Sequence, residues 1–214
     1  FFQFAAFVYK FSLWLSLVPI TYHGLEHIPQ EPSIFIANHA SSLDIILMGK
    51  IMGSRSHTWL AKEELWNYPL FPLLLNRFAI PVSFAKKADP MVKQLGVVDR
   101  AKKRLDEGSS IILFPEGGRH NDGTIHPFRS GFAALAFLTG KPVVPVFLHG
   151  VGKVMPPGAS FLKQRSPIEV VVGPPFIYQL TESIEEFKKR VFLWYCAINE
   201  KFNRQEARMT DFSA

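Results

Sequence analysis

Short apolar runs, each ending in a polar or glycine-rich turn and separated by helical stretches, constrain this chain most. Ser33 to Ala37 is such a run behind Pro32, and Asn38 to Ser42 turns it into an apolar helix, Leu43 to Ile51. His57 to Ala61, Phe78 to Val82, Ser110 to Phe114, Val143 to Leu148 and Ile168 to Val172 read as further strands. Runs of that length without polar alternation suit strands buried on both faces. Between them, Asp89-Pro90 opens a helix to Asp106, with Met91, Leu95, Val98 and Leu105 near one face, and Gly108 ends it. Phe132 to Leu138 is a helix stopped by Gly140, and Ile184 to Phe202 is a closing helix. Glu63 to Asn76 contains Pro69 and Pro72, which predicts broken helical turns rather than one helix. The expected class is α/β, a mixed, largely parallel sheet flanked by helices in two or three layers.

Residues 1 to 20 are aromatic and aliphatic, with Lys10 at the middle and Pro19 near the end. Spanning a bilayer takes about 20 apolar residues. A monotopic helix in the interface with Lys10 snorkelling fits as well as a span, and a core helix is the bland alternative. The expected organisation is an N-terminal membrane-associating helix, 1 to 20, followed by one domain, 21 to 214. The 20 Phe residues suit contact with lipid or a long apolar ligand, though a Phe-rich core looks the same.

A single cysteine, Cys196, excludes an internal disulfide and a cysteine zinc site, and its neighbours predict a buried helix face. The histidines form no metal-ligand pattern, so no metal is expected. Of the net charge of +6, much lies in residues 86 to 104, with seven basic residues against Asp89 and Asp99. Anionic headgroups or an acidic carrier protein would be attracted there, or the stretch is a solvated helix face; nucleic acid is not expected, because no binding motif accompanies it.

Two loops carry candidate chemistry. In Asn38-His39-Ala40-Ser41-Ser42-Leu43-Asp44, the spacing brings the Asp44 carboxylate within reach of the His39 ring across a turn. Such a pair gives a general base with a fixed tautomer, as acyl transfer to an alcohol requires. The same segment also reads as a capping box, with Ser41 and Asp44 serving only the helix start. In Phe114-Pro115-Glu116-Gly117-Gly118-Arg119, two glycines let a ligand approach the backbone, Glu116 can accept from hydroxyls, and Arg119 can hold a phosphate or carboxylate. A surface turn with an incidental ion pair is the alternative there.

Taken together, the chain resembles the 1-acylglycerol-3-phosphate acyltransferase family. Asn38, His39 and Asp44 match its Asn-His-x-x-x-x-Asp motif, and Phe114 to Gly117 with Arg119 match Phe-Pro-Glu-Gly-Thr/Ser-Arg. Lys141 to Val146 matches its later Val-Pro-Val segment, and Ala61 to Leu65 with Arg77 to Val82 resembles its second motif region. The resemblance implies an acyl thioester donor, acyl-CoA or acyl-carrier protein, and a lysophospholipid acceptor, most simply 1-acylglycerol-3-phosphate, with no cofactor. It implies His39 as base and Asp44 as its orienting carboxylate. Glu116, Gly117, Gly118 and Arg119 would line the acceptor site, with Lys62 and Arg77 as further phosphate contacts. It also implies work at a membrane bilayer, on the cytoplasmic face of the inner or endoplasmic membrane.

Three positions depart from the family pattern. Ser83-Phe84, with Lys86 and Lys87 after it, stands where an Arg is frequent; Gly118 stands where Thr or Ser is usual; and His120 follows Arg119 where Ser is common. These keep other acceptors in view (glycerol 3-phosphate, an aminoacyl lipid, a glycolipid), together with a thioesterase-like activity or a non-catalytic lipid-binding protein. No Gly-x-Ser-x-Gly elbow occurs, which argues against a serine hydrolase. Gly150 to Lys153 lacks the spacing of a phosphate loop and reads as a turn.

Overall fold

The structure is a computed structural model describing residues 1–69, 71–83 and 90–211, without the side chains of 71, 73, 74, 90–95 and 209–211. Its centre is a seven-stranded mixed sheet: β1 Ile20–His23, β2 Ile34–Ala37, β3 His57–Lys62, β4 Ala79–Val82, β5 Ser110–Leu113, β6 Val143–His149 and β7 Ile168–Val172. The order across the sheet is β1-β7-β6-β2-β5-β3-β4. The five strands from β6 to β4 run parallel. β7 lies antiparallel to β6, and β1 lies parallel to β7, so the first two strands of the order are reversed.

Among the described residues seven α-helices flank the sheet: α1 Phe2–Ser16, α2 Leu43–Met52, α3 Phe71–Phe78, α4 Pro90–Asp106, α5 Gly131–Thr139, the single turn α6 Val151–Val154, and α7 Ile184–Asp211. Strand β2 shows why there are three layers. All four of its residues are buried, and because side chains alternate across a strand, Phe35 and Ala37 enter one core while Ile34 and Ile36 enter another. The first core holds Leu47, Met48 and Met52 of α2 and Leu13 of α1. The second holds Phe132 and Ala136 of α5, Leu105 of α4, and Phe187, Val191 and Tyr195 of α7.

Pro145 stands in the middle of β6, a place that normally costs a ladder hydrogen bond. The wholly buried Tyr195 hydroxyl reaches this point, accepting the Val146 N–H at 3.0 Å and donating to the Ile36 carbonyl at 2.7 Å. Beyond the end of β2, the Asn38 amide imitates a peptide unit. Its Nδ2 donates to the Leu148 carbonyl at 2.9 Å and its Oδ1 accepts the Leu148 N–H at 2.8 Å. The two strands therefore stay locked together up to the turn that carries His39.

The interrupted stretch after Glu63 folds as expected, into a 3-10 helix over Glu63–Asn67 and then α3. Three boundaries differ from expectation. The N-terminal helix stops at Ser16, and Ile20 already belongs to β1, an edge strand whose alternating exposure hid it behind Pro19. Gly150 to Lys153 opens a short helix rather than a turn. The closing helix runs past Phe202 to Asp211. Cys196 is half-buried beside exposed Leu193, not on a buried face, and its partial burial raises the thiol pKa.

α1 packs along α2 so closely that a Cβ on Gly49 would stand 2.4 Å from the Tyr9 ring. Its opposite side is bare: Phe4, Phe7 and Trp14 are 68%, 62% and 68% exposed, with Phe11 between them. Among the described residues no helix is long and apolar enough to cross a membrane. On α4, Lys102, Lys103 and Arg104 pair with Asp106 and Glu107 along the helix, which answers the basic stretch with a solvated, locally paired face there. Phe84, Lys86 and Lys87 lie outside the described residues, as do the Met91 and Leu95 side chains.

Candidate active site

β2, β5 and β3 are parallel neighbours, so their C-terminal ends emerge on one edge of the sheet, the usual place for a site in this architecture. β2 delivers His39, β5 delivers Glu116 and β3 ends on Lys62. The chain between β2 and α2 is a tight turn closed on Asp44, which is fully buried. One oxygen, Asp44 Oδ2, accepts the Ala40 N–H at 2.8 Å, the Ser41 N–H at 2.7 Å and His39 Nδ1 at 2.8 Å. The capping interaction and the pairing with histidine are thus one arrangement. A carboxylate at a helix N-terminus is favoured by the unpaired amides there, and that same carboxylate fixes the ring. Asp44 Oδ1 is buried without a hydrogen-bond partner among the described residues, so all three bonds fall on the oxygen facing His39.

The His39 ring is clamped further. Its face lies on Phe114 at 3.9 Å and 11°, and Phe114 in turn stacks on Trp59. Its backbone N–H donates to Glu116 Oε1 at 2.9 Å, and its carbonyl accepts the His120 N–H at 2.8 Å. With Nδ1 given to Asp44, Nε2 is the nitrogen left to take a proton.

Glu116 is only 8% exposed, and it differs here from the sequence reading. Its carboxylate braces the base's backbone instead of opening toward a ligand hydroxyl. Burial pushes its pKa up to about 7, with the His39 and His126 amides opposing the rise. Gly117 has φ +71°, and a Cβ there would stand 2.5 Å from Arg129 Nε, so only glycine lets the loop turn under that side chain. Arg119 is exposed and donates to Ser42 Oγ at 2.7 Å, which holds it over the start of α2 and beside the His39 turn. Lys62 is exposed at the end of β3, on the same edge.

Arg77 is not brought to this group. It ends α3 just before β4 begins, on the opposite edge of the sheet, with its guanidinium 5.4 Å from the Phe1 ring. Two residues without a role in the sequence reading belong to the site's frame. Asn38 locks the strand ends, and His126 joins the acceptor loop through Asp122 at 2.7 Å and a ring stack on His120 at 3.6 Å. The Asn-His pair in the first motif was the available signal for Asn38; nothing local marked His126. Among the described residues no cluster of three or more histidine, cysteine, aspartate or glutamate side chains could hold a metal ion.

Comparison with known proteins gives the family and the fold. A family model described as Acyltransferase matches residues 19–149. The chain is 30% identical over 179 residues to a chloroplastic 1-acyl-sn-glycerol-3-phosphate acyltransferase of Brassica napus, covering 81% of this chain and 50% of that protein. It is 33% identical over 172 residues to a 1-acyl-sn-glycerol-3-phosphate acyltransferase of Pseudomonas aeruginosa, covering 77% and 63%. The chain thus spans about half the length of the plant relatives it matches. The crystal structure of the 1-acyl-sn-glycerophosphate (LPA) acyltransferase PlsC from Thermotoga maritima superposes with a TM-score of 0.78 at 24% identity, covering 94% of this chain and 79% of that one, and so shares the fold.

Proposed function

This chain belongs to the acyltransferase family, and from that premise we propose that it moves a fatty acyl group from an acyl thioester to the free hydroxyl of 1-acylglycerol-3-phosphate, giving phosphatidic acid. The observation that carries the reading is the contact of 2.8 Å between His39 Nδ1 and Asp44 Oδ2 at the end of the central strand. His39 Nε2 takes the proton of the acceptor hydroxyl while its oxygen attacks the thioester carbonyl. The tetrahedral intermediate collapses, the C–S bond breaks, and the imidazolium returns its proton to the leaving thiolate. Asp44 stays ionised throughout and stabilises the imidazolium. No acyl-enzyme is needed.

Lys62 and Arg119 hold the acceptor's phosphate, and Gly117 and Gly118 let its glycerol approach the loop. Arg119 exchanges the Ser42 hydroxyl for phosphate oxygens, which it can engage through two parallel bonds. The donor is acyl-CoA or acyl-carrier protein. The bare aromatic side of α1 supports attachment to a membrane surface, since Phe4, Phe7, Phe11 and Trp14 present a continuous apolar stripe. The proposed location is the cytoplasmic face of that membrane.

The test is transfer from a labelled long-chain acyl thioester, in vesicles, to a panel of lysolipids and to glycerol 3-phosphate. Phosphatidic acid formed by wild type and lost in His39→Ala supports the reading. Transfer only to another acceptor moves the substrate and keeps the chemistry; thioester hydrolysis without transfer overturns it.

A further inference from the structure

We propose that His120 is a proton-taking partner of the acceptor phosphate: it gains a proton from solvent when that phosphate occupies the mouth it shares with Lys62 and Arg119. The inference rests on the acceptor reading above and adds a residue to it.

The argument begins with position. His120 is fixed by its N–H on the His39 carbonyl at 2.8 Å, so its ring cannot leave the neighbourhood of the base without breaking that bond. One face of the ring lies on His126 at 3.6 Å and 13°. Its Nε2 edge points toward Gly118, where a Cβ would stand 3.4 Å away. The glycine leaves that edge of the imidazole open, with no side chain between it and the mouth of the loop.

Charge decides when the imidazole is protonated. The groups facing it are His126 and Asp122 on its own loop, His39 after β2, and Lys62 at the end of β3. Burial and the three cationic or potentially cationic neighbours hold its pKa below the ordinary value, and Asp122 opposes them only partly. Asp122 is itself engaged by His126 at 2.7 Å and by Thr124. A phosphate between Lys62 and Arg119 reverses the field, because an anion nearby favours the charged imidazole. Binding then draws in a proton, and the new N–H joins the phosphate oxygens as a charged donor.

The sign follows. Below the pKa of the empty site His120 is charged already, and phosphate-bearing acceptors bind best. Above the pKa of the occupied site it stays neutral, and the extra contact is lost. Between the two, KM for such acceptors rises with pH.

The experiment compares wild type with His120→Gln, measuring kcat and KM for 1-acylglycerol-3-phosphate and for a monoacylglycerol from pH 5.5 to about 8.5. The expected result is a KM for the phosphate acceptor raised roughly fivefold by the substitution at low pH, the gap closing at high pH, with monoacylglycerol unaffected. The phosphate's own ionisation is common to both proteins and cancels in the ratio. Parallel KM curves for wild type and His120→Gln overturn the inference and leave the acyltransferase reading standing. If wild type acylates no acceptor, that reading fails instead. His120 is then judged by NMR, where addition of sn-glycerol 3-phosphate must move its ring titration to higher pH, and an unmoved titration overturns it.

Discussion

The turn that carries His39 and the loop that carries Arg119 face each other across one sheet edge, yet they are built in opposite ways. The first is held by the backbone: Asp44 is fully buried and takes two amides and the imidazole on a single oxygen, while Asn38 pins the strand beneath. The second keeps a few backbone bonds, such as His120 N–H to the His39 carbonyl, but its charged side chains are held at the surface. Arg119 leans on Ser42, His126 on Asp122, and Asn199 and Asn203 of α7 reach across to the Gly123 carbonyl. Exposed contacts of that kind are individually weak and exchangeable. In the proposed mechanism the base therefore arrives with its geometry fixed, whereas the acceptor side can trade partners when a ligand enters.

The comparison predicts a steep gradient of mutational effects. His39→Ala should lower turnover by about four orders of magnitude or more, with an unchanged unfolding transition; steady-state rates near wild type would remove the base assignment. Asp44→Asn keeps the shape but offers a neutral amide to the ring, and a loss of about 10²–10⁴ in kcat is expected; a change confined to KM would place Asp44 outside the chemistry. On the loop side, Arg119→Ala should cost about 1.5–3 kcal/mol in kcat/KM for a phosphate-bearing acceptor and little for one without phosphate. Equal losses for both acceptors would mean that the arginine serves the turn through Ser42 instead.

The smallest effect concerns Glu116, which links the two regions. Its folded pKa, about 7, lies above its unfolded value, so the folded protein binds the proton more tightly. Stability is then greatest where the group is protonated and falls as pH rises from the unfolded pKa through about 7. Glu116→Gln should remove this decline, read as denaturant midpoints converted to free energy between acid and neutral pH. A decline that survives the substitution would assign it to other groups.

Much of the architecture could be read in advance, because a parallel sheet covered on both faces requires continuous apolar runs, and β2, β5 and β6 are such runs. Ile20–His23 escaped because an edge strand alternates and needs no such run. The pairing of His39 with Asp44 was legible because both lie within one turn and depend on local spacing. Arg77 was not placed, since its side of the sheet depends on where β4 begins and on contact with Phe1, both set by tertiary packing. Glu116 shows the same limit from another direction. A motif names the carboxylate, but only burial decides that it braces a backbone amide.

The pairing of β1 with β7 has a consequence for how the molecule comes together. Ile20 meets Ile168, and the Ile168 N–H donates to the Pro19 carbonyl, so the seam joins segments separated by most of the chain. Contacts of such sequence separation carry a large loop-closure entropy and form late. During synthesis from the N-terminus, the aromatic helix and the strand after it emerge well before their partner strand exists. Topology thereby orders what can form when: the packing of α1 on α2 needs only neighbouring segments, whereas the sheet edge beside it waits for β7.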